Sequence, residues 1–223
     1  MTYRKQNDPE TAKEARVTYQ NDLELYEKNK STYEREMENL RTDIANQQEY
    51  LDHSIWINMS PYDVCEARAD LFVSTGYQIM PGMEYQNRDN TDTILQAYQS
   101  LLTSSAVLED VAKQVKTEPR YLEELVEVTI GANQDGQLNR MLTIDVKHTT
   151  KEDAEEVLGA FLAHVDDMHD RIATSIGEHT VSIVNESVSA LVNLDLAELQ
   201  RQQTEKLTTL NDSLQTKQTE YDE

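Results

Sequence analysis

Two runs of alternating apolar residues around an Asp-Gly constrain this chain more than any other stretch. Residues 125–146 read LVEVTIGANQDGQLNRMLTIDV. Val126, Val128 and Ile130 fall at every second position, as do Leu142, Ile144 and Val146. That period places each set on one face of a strand, so the stretch predicts an antiparallel hairpin. A two-residue turn centred on Asp135-Gly136 would set Val126 against Asp145 and Val128 against Thr143, mixing the two faces. A register one residue away sets Val126 against Val146, Val128 against Ile144 and Ile130 against Leu142. Side-chain parity therefore favours an odd-length loop or a bulge, with Gly136 at positive φ.

The composition bounds what surrounds the hairpin. Of 223 residues, 38% are hydrophobic, and mean hydropathy is -0.70. That is thin for a compact globule of this length and points to long solvent-washed helices. Net charge is -22, from 42 acids and 20 bases. Such a charge repels nucleic acid and anionic lipid, which argues against either as a partner. Cys65 is the single cysteine, so no internal disulfide forms. No apolar run reaches the ~20 residues that span a bilayer, and the start lacks a signal-peptide pattern.

Residues 9 to 52 contain no glycine, and no proline after Pro9. Positions 19, 23, 26, 30, 33, 37, 40, 44, 47 and 51 alternate by fours and threes. Eight of these ten are apolar or aromatic, Lys30 and Gln47 being the exceptions. This is a heptad seam on a helix of roughly 65 Å, too narrow for an all-round core and matched to one partner helix. The stretch from Leu194 offers that partner: Leu196, Leu199, Gln203, Leu207, Leu210, Leu214, Lys217 and Tyr221 form a second seam containing a stutter. The two are expected to pair antiparallel as a coiled coil. No C-cap signal closes the second helix, so the natural polypeptide is expected to continue.

Between these helices the periodicity changes. DVCEARADLFVS, after Pro61, alternates cleanly, with Cys65, Ala67, Ala69, Leu71 and Val73 on one face and Glu66, Arg68, Asp70 and Phe72 on the other. The two alanines would let a helix approach closely. A polar loop, 76–90, follows. Ile94 to Val115 recurs at helical spacing, capped by Thr91 or Asp92, and Pro119 starts a further short turn. After the hairpin, Thr150 to Asp153 resembles a capping box. It opens a helix whose buried stripe runs from Ala154 through Phe161 to Ile176 and which Gly177 ends. Thr180 to Val188 reads as a last strand. The expected fold is α+β: a ferredoxin-like βαββαβ core flanked by two long helices forming an antiparallel coiled coil. The expected divisions are an N-terminal arm (1–55), an α+β core (56–193) and a C-terminal arm (194–223).

The strand CEARADLFV, the helix ILQAYQSLLTSSAVLEDVAKQV and the run LTIDVKHTTKEDAEEVLGAFLAHV together resemble the polysaccharide co-polymerase, or chain-length determinant, family. The last run has that family's order of strand, polar turn and helix opened by Asp153-Ala154. The resemblance covers roughly residues 60 to 195. It implies a domain outside the cytoplasmic membrane, held by membrane helices beyond both ends of this chain. It also implies homo-oligomerisation, a polysaccharide polymerase or export machine as partner, and control of surface-polysaccharide chain length.

Chemistry-bearing motifs are sparse. Asp166, His169 and Asp170 share a helix face, but zinc would want a further His or Cys, and a solvated acidic face explains them as well. Asn133-x-Asp135-Gly136 lacks the glutamate that closes a calcium loop. The alternation of its strand buries Cys65. No phosphate-binding or dinucleotide motif is present. The expectation is a non-enzymatic chain with no cofactor and no metal. One loop carries unusual residues for its polar setting: Tyr77, Ile79, Met80, Met83 and Tyr85, suited either to contact with a neighbouring subunit or a glycan, or to packing over the sheet edge. Two other readings stand beside the leading one: an envelope adaptor whose coiled-coil hairpin bridges a transport complex, and a cytosolic metal-dependent hydrolase using Asp166 and His169.

Overall fold

The computed structural model of the protein describes residues 9–75, 90–133, 136 and 138–222. They divide into two units. One comprises His53–Gln200; the other combines Met1–Asp52 with Arg201–Glu223.

The larger unit is mixed α+β. Its strands are β1 (Val64–Thr75), β2 (Val126–Ala132), β3 (Leu138–His148) and β4 (His179–Leu191). They form one antiparallel sheet in the order β2-β3-β1-β4. The hairpin of β2 and β3 has the register that side-chain parity requires: Val126 opposes Val146, Val128 opposes Ile144 and Ile130 opposes Leu142. The pairing then shifts between Ile130 and Ala132. Gly136, between the strands, adopts φ +78, and Arg140 of β3 φ +65; the extra residues of the irregularity lie on β3, between Leu138 and Leu142. A Cβ at Gly131 would crowd the Asn139 side-chain amide, which would have to shift.

Helices α3 (Thr91–Leu102) and α6 (Lys151–Ser175) pack on one face of the sheet, with α4 (Ser105–Gln114) against α6 and the short helix α5 (Pro119–Glu123) beside α4. Ile94, Tyr98 and Leu102 of α3, Val111 of α4 and Leu158 and Phe161 of α6 share a core with Ala67, Ala69, Leu71 and Val73 of β1 and with Leu142, Ile144 and Val146 of β3. Thr150 caps α6, its hydroxyl accepting from the Asp153 amide at 3.1 Å, as the capping-box pattern anticipates.

The helical spacing from Ile94 to Val115 predicts one helix, whereas the chain makes two. The Thr103 hydroxyl donates to the Gln99 carbonyl at 2.8 Å and the Ser104 hydroxyl to the Leu101 carbonyl at 2.6 Å. Such back-bonding competes with the helical ladder, and Ser104 turns to an extended conformation that restarts the helix. A second, smaller core joins Met59, Val64, Leu125 and Leu196. It is served by the one-turn helix α2 (Ile55–Asn58), which buried Ser54 caps. Leu196 reads from the sequence as a seam residue of the long C-terminal helix, yet it packs into this core. Gln200 donates to the carbonyls of Ile57 and Met59 at 2.8 Å each.

The other unit is built from α1 (Pro9–His53, 45 residues) and the part of α7 (Leu194–Asp222, 29 residues) beyond Gln200. The two run antiparallel. Gln47 Nε2 donates to Gln203 Oε1 at 3.0 Å, Lys217 Nζ lies 3.1 Å from Glu36, and the Tyr221 hydroxyl donates to Glu34 at 3.0 Å. Partners rise in number along one helix as they fall along the other. Met37 and Gln47 are buried in the seam, while every residue from Glu10 to Ser31 is exposed.

The faces of the sheet make a direct test. Ile144→Ala deletes a wholly buried side chain and should lower unfolding stability by roughly 2–5 kcal/mol in a denaturant titration. Glu127→Ala, on the exposed face, should change it by about 0.5 kcal/mol or less. Equal losses would mean that the faces are misassigned.

Candidate functional site

The five aromatic and apolar loop residues singled out from the sequence, Tyr77, Ile79, Met80, Met83 and Tyr85, lie outside the described residues, as does the Asp135 of the calcium-like motif. Within the sheet unit, the surface with the most organised chemistry is the sheet face turned away from the helices. Alternation sends Glu66, Arg68 and Asp70 of β1 to this face, where they meet Lys147, Asp145 and Thr143 of β3 in register. Charge opposes charge across the strands, the arrangement that favours pairing.

Asp70 is the hub. Oδ1 accepts from the Thr143 hydroxyl at 2.8 Å and from Arg68 Nε at 3.1 Å; Oδ2 accepts from Asn185 Nδ2 on β4 at 3.0 Å. The carboxylate thus ties together the three strands β3, β1 and β4. Burial pushes its pKa up, but the hydrogen bonds from Asn185 and Thr143 and the Arg68 guanidinium outweigh it, and the net shift is downward. Asp145 has the opposite balance. Its Oδ1 is buried without a hydrogen bond, and Arg68 Nη1 stands 3.6 Å away, an ion-pair contact only. Burial raises its pKa, Arg68 opposes the rise, and Glu66 and Glu127 add to it.

A second cluster lies where α3, α6 and the start of β4 meet. His179 Nδ1 is 2.9 Å from the Gly177 carbonyl, which can only accept, so this nitrogen carries the proton. In the neutral ring Nε2 then accepts from the Tyr98 hydroxyl at 2.8 Å. Burial, aided by Asp166, drives the Tyr98 pKa up to about 12, so the phenol remains a donor at physiological pH. His169 lies against His179, the rings tilted by 42° with 4.7 Å between their centroids. Its Nε2 donates to the His179 carbonyl at 3.0 Å and its Nδ1 lies 3.3 Å from Asp170. The carbonyl bond first, and Asp170 second, favour the protonated ring and raise its pKa.

This geometry answers the metal reading of Asp166, His169 and Asp170. The helix does place them on one side, but His169 Nε2 is committed to a backbone carbonyl and Asp170 is 97% exposed. Among the described residues, no three His, Cys, Asp or Glu side chains converge on a point that would hold a metal ion. Cys65 is buried. A small cavity of about 180 Å³ lies beside His148, Asp153 and Glu156, with Ile55, Leu122 and Val157 as its apolar wall. Burial lowers the His148 pKa against the pull of Asp153 and Glu156, so this ring favours the neutral form.

In the helical unit, the seam of α1 and α7 is flanked by two open grooves of about 580 and 550 Å³. Polar side chains line most of each, with Leu40 at one and Leu210 at the other. Tyr33 receives Lys217, whose Nζ stands 5.0 Å from the ring centroid, so a seam lysine is accommodated on an aromatic face.

The Asp70 hub could not be found from periodicity alone. Alternation reveals which side chains share the outer face of β1, but not that β3 and β4 flank it.

The two aspartates should respond to pH with opposite signs. Asp70 has a folded pKa below its ordinary 3.8, so the stability it contributes is present above that value and is lost as pH falls through the lower folded value. Asp70→Ala leaves the Thr143 hydroxyl and the Asn185 amide unpaired and should cost about 1–3 kcal/mol at pH 7. Asp145 has a folded pKa above 3.8, so its charge opposes folding at neutral pH and the opposition fades as pH falls through the raised value. Asp145→Asn should therefore help most near neutrality, with its benefit shrinking in acid. Denaturant titrations of both variants across this range check the signs, and parallel pH profiles for the two would refute them.

No protein-family model matches this chain, and no curated protein matches it.

Proposed function

We propose that this chain is a non-enzymatic extracytoplasmic domain that regulates surface-polysaccharide chain length or export, as a polysaccharide co-polymerase. In this reading the sheet unit is a ferredoxin-like βαββαβ core, and α1 and α7 are the arms of an antiparallel coiled coil. The observation that supports it best is the strand order β2-β3-β1-β4 with its helices on one face, formed by the stretches that resemble that family.

Membrane helices beyond both ends hold the copies together, and tethering raises their effective concentration enough for weak contacts to form an oligomer. The partner is the polymerase or export machinery, which acts at the cell membrane. The growing glycan or a neighbouring copy meets the loop of Tyr77, Ile79, Met80, Met83 and Tyr85. The exposed first half of α1 favours a second reading, an envelope adaptor whose helical arm engages a transport complex.

Deletion of the gene is expected to change the length distribution of the cell's surface polysaccharide and to leave its sugar composition alone. Joint substitution of Tyr77, Met80 and Tyr85 by alanine should shift the same distribution while the domain remains folded. An unaltered length profile in a deletion strain without a paralogue would overturn the proposal. Loss of a transported substrate in that strain would establish the adaptor.

A further inference from the structure

The cavity of about 180 Å³ beside His148 joins an apolar floor to a charged rim. In the floor, Leu122, Leu125 and Val157 are 0%, 2% and 2% exposed. The rim has two sides. Lys116 and Thr117 stand on it just past the end of α4, and Asp153 and Glu156 where α6 begins. His148, at the end of β3, closes it. An apolar concavity with a few placed polar groups is the composition of a small-molecule site.

We propose that this cavity binds a free α-amino acid with an aliphatic side chain of about leucine size. The rim selects a zwitterion. Asp153 and Glu156 attract an ammonium group and repel a lone carboxylate, and Lys116 does the reverse. Among the described residues Lys116 makes no ion pair with either carboxylate, so the opposite charges share the cavity without touching. A molecule carrying both charges satisfies both sides. His148 adds an acceptor. Its Nδ1 lies 3.3 Å from Asp153 Oδ2, which only accepts, so Nδ1 carries the proton and Nε2 of the neutral ring accepts. Thr150 also donates to Oδ2, which leaves Oδ1 for a ligand. The two carboxylates and Nε2 match the three N–H donors of an ammonium group. The Lys116 ammonium and the Thr117 hydroxyl are donors for the carboxylate, and the floor takes the side chain. The volume, that of about six waters at ~30 Å³ each, admits leucine and excludes a sugar or a nucleotide.

The backbone supports a role for Lys116. Its φ is +58, the left-handed position past a helix end that glycine usually fills. The Thr117 amide donates to the Ala112 carbonyl at 2.9 Å, the bond that this kind of helix end makes. A lysine here accepts strain that glycine would avoid, and it brings a cation to the rim.

Isothermal titration calorimetry of the whole chain with L-leucine tests this. Leucine should bind saturably at one site per chain, and glycine, with nothing for the floor, should not. Two fragments of leucine separate the sides of the rim. 3-Methylbutylamine lacks the carboxylate and 4-methylpentanoate lacks the ammonium; each should bind about ten-fold more weakly than leucine, or worse. Lys116→Gly keeps the helix end and removes the cation. It should weaken leucine about ten-fold and bind 3-methylbutylamine no worse than the wild type does. Glu156→Gln should weaken both leucine and the amine while binding 4-methylpentanoate no worse. Glycine suits the φ at 116 and Glu156 is exposed, so thermal melts should show both variants folded. Absence of saturable leucine binding would overturn the proposal. So would fragments that bind as tightly as leucine, or two variants that keep the wild-type affinity.

Discussion

The contact between alanine and helix at the centre of the sheet sets the arrangement of everything around it. β1, like β3, is paired on both sides, its neighbours being β3 and β4. On its helix-facing side it presents Ala67 and Ala69, wholly buried, where β3 presents Leu142, Ile144 and Val146. Small side chains in the middle of the sheet make a shallow channel, and α6 contacts both β1 and β3 there. Phe161 and Leu158 of α6 share one core with these alanines. A larger residue at either alanine would have to push the helix off the sheet, and overpacking of that kind is destabilising in its own right. The same strand carries Arg68 and Asp70 on its reverse side, so the residue spacing that admits the helix also builds the polar hub.

That dual role explains how much of this molecule could be read in advance. The hairpin register was legible because a period of two allows only one parity to keep Val126, Val128 and Ile130 on the side of Leu142, Ile144 and Val146. The buried stripe of α6 and its Thr150 cap were legible for the same local reason. Three features were not. The break at Ser104 depends on hydroxyls turning back to carbonyls that a helix would otherwise satisfy, and periodicity is blind to it. The second core recruits Leu196 from a position in phase with the seam beyond it, so phase alone cannot tell which partner it meets. The hub at Asp70 needs strands distant in sequence to lie side by side, and Asn185 is 115 residues away.

The two units also differ in what stabilises them. In the sheet unit, buried polar groups pair with one another: Ser54 caps α2 and donates to Glu124, and Tyr98 and His179 pair in the interior. In the helical unit, polar groups occupy the seam itself. Gln47 meets Gln203, and Lys217 meets Tyr33 and Glu36. Polar layers weaken a helical seam relative to leucine, but they fix register, because only one alignment satisfies both glutamines. A seam of this composition trades adhesion for specificity of alignment.

That trade bears on the bare half of α1. A helix without burial relies on propensity and on side-chain pairs three or four residues apart, which contribute a few tenths of a kcal/mol each. Residues 10–31 are exposed throughout and draw on local interactions, among them the Thr18 hydroxyl donating to the Glu14 carbonyl at 3.1 Å, together with continuity into the covered half. The apolar stripe there gains nothing for the helix while it faces water, and each of Tyr19, Leu23 and Tyr26 exposes surface whose burial is worth more than any of the charge pairs. The stripe is nevertheless continuous in phase with the covered seam over three turns. A sequence under no demand to bury that face would not need to hold the phase. The phase contributes to the fold where the stripe is covered, as at Met37 and Gln47.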